Sequence, residues 1–324
     1  MPKKTFNTVV SFFLEHVMLL VLILFLLIGA VLSRDFLTIK NIFSILRQMS
    51  IVGVLACGQS VAIINGGIDA SMGGILSASV IMYALVEHMP FPVAVVIVLL
   101  FAATMGFASG TIISRFKVAP FITTMGMGVV GDGIALLLSE GRPFFLKNHT
   151  DVLYTIGSSY VFGFIPVMVL IFFVVAIIGQ IILSQTSLGM QWRSIGGNEE
   201  AAYWSGINTK NNKIMGYAFS GMMCGIAAIF AAARTGVADP VSGMGLSLES
   251  MSAAVLGGTY MGGGGIGSVI GAILGASILG IINNLFNILN VSTYWQSIAK
   301  GLIIIIAIIA GSRTLKGKTK PGRI

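Results

Sequence analysis

Apolar runs of roughly 17–25 residues, the length a helix needs to cross a bilayer, recur from one end of this chain to the other. This recurrence constrains the fold more than any other feature. Of the 324 residues, 56% are hydrophobic and only 9% are charged, whereas soluble domains carry about 25% charged residues. Most of the chain therefore cannot face water. The expected fold class is all-α integral membrane, one transmembrane domain over 1–324. No stretch is left for a separate soluble domain, which would need about 50 residues or more.

Spans are expected at about 14–32, 49–65, 72–88, 91–113, 119–138, 161–183, 213–233, 247–262, 266–289 and 295–311, about ten in all, with boundary errors of about 2–4 residues. Lys3-Lys4 before the first run resembles a signal n-region, but Ser33-Arg34-Asp35 follows rather than a small-residue cleavage pattern, so the run reads as a retained span. With a cytoplasmic N-terminus, twelve of the 19 Lys/Arg fall on inside segments, six fall outside, and Lys300 lies within a span. This bias places both termini in the cytoplasm, with a basic tail at 312–324. It also accounts for the net charge of +8 without nucleic acid. Between Phe36 and Met49, apolar residues repeat at helical spacing among Lys40, Arg47 and Gln48. Either a helix lying along the outer interface or a polar start to the second span fits that pattern.

Polarity is concentrated in one internal loop, Ser184 to Lys213, which holds three Lys/Arg, the Glu199-Glu200 pair, Trp192 and Trp204. Asn198 is a good N-cap, Glu199-Glu200 suit the positive end of the helix dipole, Ala201-Ala202-Tyr203-Trp204 continue a short helix, and Gly206 stops it. Such a helix is suited to insert into a groove on a soluble partner; an ordinary capped loop helix with both Trp at the headgroups is the competing reading. Gly263, Gly267, Gly271 and Gly275 step by four and are expected to line one helix face for close packing. Gly67-Ile68-Asp69-Ala70-Ser71-Met72-Gly73 and the segment from Ala238 to Gly245 are both Gly/Asp/Ser breaks in helical pattern, in opposite orientations, as in transporters with inverted repeats.

Enzyme motifs are absent. Gly317-Lys318-Thr319 matches the end of a Walker A motif, but Ser312 stands where its first glycine belongs and no helix can follow. The chain is therefore not expected to hydrolyse ATP. Cys57 and Cys224 read as small buried residues, and His16, His88 and His149 lack metal-ligand spacing.

Four ordered motifs resemble the permeases of ribose-type ABC transporters. They are Leu188-Gly189 with Gly196-Gly197-Asn198, Ala201-Ala202 and Ser205-Gly206-Ile207-Asn208; Gly67-Ile68-Asp69 with Ser71 and Gly73; Pro120-Phe121-Ile122 with Thr124 and Gly126; and the run from Ala253 to Thr259 continuing to Gly263-Gly264 and Asn283-Asn284. The resemblance runs from about Phe36 to Ile309. It implies a type II ABC importer permease fold with inverted pseudo-repeats in a bacterial inner membrane. It also implies a monosaccharide cargo delivered by a periplasmic sugar-binding protein. A partner ABC ATP-binding subunit would bind ATP and magnesium, with a second permease, identical or paralogous, beside this one; no cofactor is expected in this chain. The coupling segment it implies is 184–213, with Gly196, Gly197, Asn198, Glu199, Glu200, Ala201, Ala202, Ser205 and Gly206 meeting the ATPase. One departure is Ser247-Leu248-Glu249, where relatives commonly show Glu-Leu-Asp, which leaves open the local polar contact and which sugar is carried; a nucleoside, polyol or signalling furanose is the alternative cargo.

Candidates for the solute pathway are Asn65, Asp69, Ser71, Thr124, Glu249, Asn283, Asn284 and Asn287. Asp69 can line the pathway or cap the third span, since uncompensated charge at that depth costs about 2.5 kcal/mol or more. Asp132 poses the same choice. The asparagines can bond neighbouring helices or sugar hydroxyls. No Trp is expected at mid-membrane, as suits a conduit of weak affinity. Rival readings are an ATP-independent secondary carrier, which accommodates the inverted breaks and Asp69, and, remotely, a membrane enzyme.

Overall fold

The computed structural model describes residues 17–146, 151–262, 264–292, 294–299, 301–302 and 305. Its helices are α1 (Val17–Leu32), α2 (Ile39–Ile64), α3 (Met72–Val86), α4 (Phe91–Phe116), α5 (Pro120–Ser139), α6 (Asp151–Ser158), α7 (Val167–Gln185), α8 (Ser187–Gly197), α9 (Glu199–Trp204), α10 (Thr209–Thr235), α11 (Leu246–Leu256) and α12 (Val269–Ile288). Two-residue strands β1 (Phe144–Phe145) and β4 (Val237–Ala238) pair antiparallel, as do β2 (Tyr160–Val161) and β3 (Ile165–Pro166). Among the described residues six helices are long and apolar enough to cross a membrane: α2, α4, α5, α7, α10 and α12. Three shorter apolar helices are α1, α3 and α11. The termini, the tail at 312–324, Lys300, and most of the expected span at 295–311 lie outside the described residues.

Burial divides the six long helices by position. In α2, α10 and α12 the most apolar window is 61%, 72% and 67% buried, but in α4, α5 and α7 only 28%, 22% and 33%. The first three form the centre, and the others present exposed side chains such as Leu100, Val129 and Ile177 where lipid would lie. α10 packs on α2, α3 and α4, while α12 packs on α2, α11 and α1. The central core joins Leu55, Val61, Met72, Leu76, Val98, Phe172, Met223 and Phe230.

Several sequence expectations are decided or corrected here. Of the two readings of the 36–49 segment, the polar start to the second span fits: α2 runs unbroken from Ile39, and Phe36 and Ile45 pack with Ile281 and Leu285 of α12. The expected span at 161–183 begins later, at Val167; Phe162 (φ 53°) and Gly163 (φ 76°) instead turn a hairpin. The 247–262 span ends as a helix at Leu256, after 11 residues, and an irregular stretch with positive φ at Gly258, Gly264, Gly265 and Gly267 follows. Hence the four-glycine ladder is not one face. Gly263 lies outside the described residues and Gly267 precedes the helix, so only Gly271 and Gly275 share α12, where their missing side chains admit the backbone of Gly257 and Ala253. Finally, the 184–213 loop is mostly helical, since Thr186 caps an unanticipated α8 through Gly189 N (3.3 Å).

Candidate functional site

At one end of the bundle α9 projects beside the N-terminus of α10. Its formation follows from local caps: Asn198 Oδ1 accepts from Ala201 N (3.0 Å), Ser205 Oγ donates to Ala201 O (2.8 Å), and Gly206 takes φ 84° to end the turn. Only Ala202 of this helix is buried. Tyr203 and Trp204 are exposed and meet edge to face at 5.6 Å between ring centroids. Glu199, about half exposed, is joined at 2.5 Å to the largely buried Lys213 of α10, a pair that registers the two helices more than it stabilises them. Glu200, Gly197 and Ser205 face outward.

α8 anchors this end. Trp192 is not at a headgroup surface but buried, donating from Nε1 to Asn212 O (2.9 Å) and packing on Phe219. Arg193 donates to Gly265 O (3.0 Å) and Gly267 O (2.9 Å), so the irregular stretch after α11 is held against α8. Gly264 N donates to Gly196 O (2.7 Å). A cavity of about 470 Å³ opens here, lined by Asn65, Gly66, Gly67, Pro120, Gly196, Asn198, Glu199, Lys213 and Met261.

A second cavity, of about 360 Å³, lies at the opposite end of α10, lined by Gln48, Ile51, Arg234, Thr235, Asp239, Ser242, Glu249 and Asn283 among others. Asn283 Nδ2 donates to Glu249 Oε1 (2.5 Å), fixing the carboxylate at the start of α11 toward α12. Seven polar side chains line this cavity, enough to orient a small hydroxylated solute.

Between the two cavities the broken segments meet. Gly73 N donates to Ser247 Oγ (2.8 Å), and Gly243 N donates to Ser77 Oγ (3.0 Å), so each break bonds the helix that follows the other. A side chain at Gly73 or Gly243 would overlap the other's backbone. Asp69 is 1% exposed: Oδ1 accepts from Ser71 N (3.0 Å) and from the Ser71 hydroxyl, and Oδ2 accepts from Ser220 Oγ of α10 (2.6 Å). Thr124 Oγ1 accepts from Ala70 N (3.0 Å) and bonds Ile68 O (3.1 Å).

The asparagines differ in setting. Asn284 is committed to a reciprocal amide pair with Asn41 (2.7 and 2.9 Å), Asn287 accepts from Gln296 Nε2 (3.3 Å), Asn65 donates to Asn212 O (3.3 Å), and Asn283 lines the second cavity. Gln48, Asn41, Ser220, Arg234, Asp239 and Ser242 are not among the sequence candidates. A polar Ser220 within an apolar span was the one available signal for its role. Among the described residues no group of three or more His, Cys, Asp or Glu is placed to hold a metal.

The family model described as "Branched-chain amino acid transport system / permease component" matches residues 41–308. The chain is 35% identical over 315 residues to the ribose import permease protein of Haemophilus influenzae, spanning 96% of this chain and 97% of that one. It is 33% identical to the ribose import permease protein of Escherichia coli, spanning 94% and 95%. With the D-allose transport system permease protein of Escherichia coli the identity is 32%, spanning 94% of each. No solved structure matches the chain.

Proposed function

Because this chain belongs to the family of branched-chain amino acid transport system permease components, multi-pass proteins of the inner membrane, we propose that it forms the translocation pathway of an ATP-driven importer for a monosaccharide. The sugar class is drawn from its relatives, which are named as import permeases for ribose and transport permeases for D-allose. The structural observation that carries the proposal is α9: a capped six-residue helix with exposed Tyr203 and Trp204, paired through Glu199 to the helix that runs to the opposite cavity.

In this reading α9 is gripped by a separate ATP-binding subunit, and a soluble binding protein presents the sugar at the cavity containing Glu249 and Asn283. Closure of the ATPase pair would shift α9, and α10 with it, alternating access between the two cavities. Two inverted halves, α2–α3–α4 and α10–α11–α12, would supply the moving bodies. Reciprocal packing supports this division, with α4 lying on α10 and α12 on α2.

The test is uptake by the complete complex, with ATPase and binding protein, in proteoliposomes. Gly197→Trp and Ala202→Arg should each lower ATP-driven uptake by about tenfold or more while membrane insertion is kept. Ala202 is the buried face of α9, and Gly197 has open space around it. Normal uptake by both variants would remove the coupling assignment. Uptake by the permease alone on an ion gradient would replace the importer with a secondary carrier.

A further inference from the structure

Three stations lie on one face of α10. Lys213 holds Glu199 of α9, Ser220 holds the carboxylate of Asp69, and Ala231 and Arg234 line the cavity with Glu249. At 3.6 residues per turn, positions 213, 220, 227, 231 and 234 fall within a narrow stripe about 30 Å long. The helix between them is unbroken and its inner faces are buried. A rigid rod of this kind transmits a displacement along its length without needing local flexibility.

The middle station is the unusual one. The segment from Asn65 to Ser71 interrupts helical hydrogen bonding, turning at Gly66 with φ 88°. It is nevertheless held on every side. Thr124 of α5 bonds its Ile68 and Ala70 backbone, and Gln59 of α2, oriented by its neighbours, bonds both backbone groups of Asp69 at 2.9 and 3.3 Å. Toward α10 the segment is tied by two side-chain bonds: Asn65 Nδ2 donates to Asn212 O (3.3 Å) near the start of α10, and Ser220 Oγ donates to Asp69 Oδ2 (2.6 Å) further along it. Three residues after Asp69, at Met72, α3 begins; its Gly73 bonds Ser247 at the start of α11, and its Ser77 bonds Gly243 of the opposing break.

A carboxylate is an expensive way to make a simple structural cap at this depth, since an apolar or amide side chain would avoid its desolvation. Its two oxygens do something a cap does not: one closes the local turn through Ser71, and the other reaches α10. We propose that Asp69 and Ser220 form the latch through which movement of α10, started at α9, shifts the crossed breaks separating the two cavities. Asp69 is thus a positioning residue. It touches no solute, and it converts ATPase closure into opening of the barrier.

This inference rests on the importer reading, and its test keeps the two apart. The unaltered complex in proteoliposomes is measured first for ATP-driven uptake; a failure there removes the importer reading itself. Against an active wild type, Asp69→Asn and Ser220→Ala are compared by uptake, by ATP hydrolysis, and by their ratio. The latch predicts uptake lowered about tenfold or more, hydrolysis within about twofold of wild type, and so a ratio of ATP to solute raised about fivefold or more. Ser220→Thr, which keeps the hydroxyl, should restore the wild-type ratio. Ser79→Ala, at a buried serine of α3 whose hydroxyl has no hydrogen-bond partner, should leave the ratio unchanged. In a double-mutant cycle the effects of Glu199→Gln and Ser220→Ala on the ratio should be non-additive, because both act through α10. Three results would each overturn the proposal: an unchanged ratio in Asp69→Asn, uptake and hydrolysis falling in parallel, or no restoration by Ser220→Thr.

Discussion

Single glycines decide how closely the helices of this permease approach. At Gly74 an added Cβ would lie 2.7 Å from the Gly128 carbonyl carbon and 2.9 Å from its Cα, so backbone rather than a movable side chain blocks it. At Gly126, also on α5, nothing lies within 4 Å. Gly74→Ala should therefore destabilise the detergent-solubilised protein by about 1–3 kcal/mol through overpacking. Gly126→Ala should instead be neutral or stabilising by up to about 1 kcal/mol, as expected for alanine in a helix. Thermal unfolding of both variants checks the contrast, and a common shift would mean the α3–α5 contact is looser than described. Sequence reasoning could name these glycines but not separate them, because which residue meets backbone depends on how the helices cross.

At the scale of elements, α9 was the most legible part of the chain. Its N-cap, acidic first turn and stop at Gly206 are all local signals, and each appears in the structure at the expected residue. Asn198→Ala removes the bond to Ala201 N, so local opening of α9 should be easier by about 1 kcal/mol. Amide exchange at Ala201 would then quicken about fivefold, and unchanged exchange would show that docking, not the cap, holds the helix. What escaped was the middle of the chain's broken helices. α11 stops at Leu256 because Gly257 and Gly258 follow and Gly257 packs against the Gly271 carbonyl. Hydropathy averages over such a stop. The 36–49 segment was ambiguous for a related reason: its apolar stripe fits lipid or protein equally, and only the position of α12 decides between them.

For the whole molecule, the two cavities lie on opposite sides of a barrier made from parts distant in sequence. Ser60 of α2 and Thr259, in the irregular stretch after α11, face each other with hydroxyls 3.3 Å apart, both buried. Replacing them as Ser60→Cys with Thr259→Cys, in a background of Cys57→Ala and Cys224→Ala, places two thiols within reach of a bond. Oxidation should lower uptake about tenfold or more and a reductant should restore it, since the cross-link prevents α2 and the stretch after α11 from separating. Undiminished uptake by the oxidised, cross-linked protein would mean that this contact persists through the whole cycle. Such pairings across nearly 200 residues carry no sequence signal in one chain, whereas the apolar runs that place both partners in the membrane are plain from hydropathy.

The burial of Trp192 has an optical consequence. Of the three indoles in the chain, those of Trp204 and Trp295 are open to the surroundings, while that of Trp192 is sealed between α8 and α10 with its N–H bonded to Asn212 O. Its emission is shielded from aqueous quenchers and sits at the joint where α10 meets the polar end of the bundle. A native fluorophore thus sits where α8 meets α10, and the movement of α10 proposed above should raise its quenching during turnover.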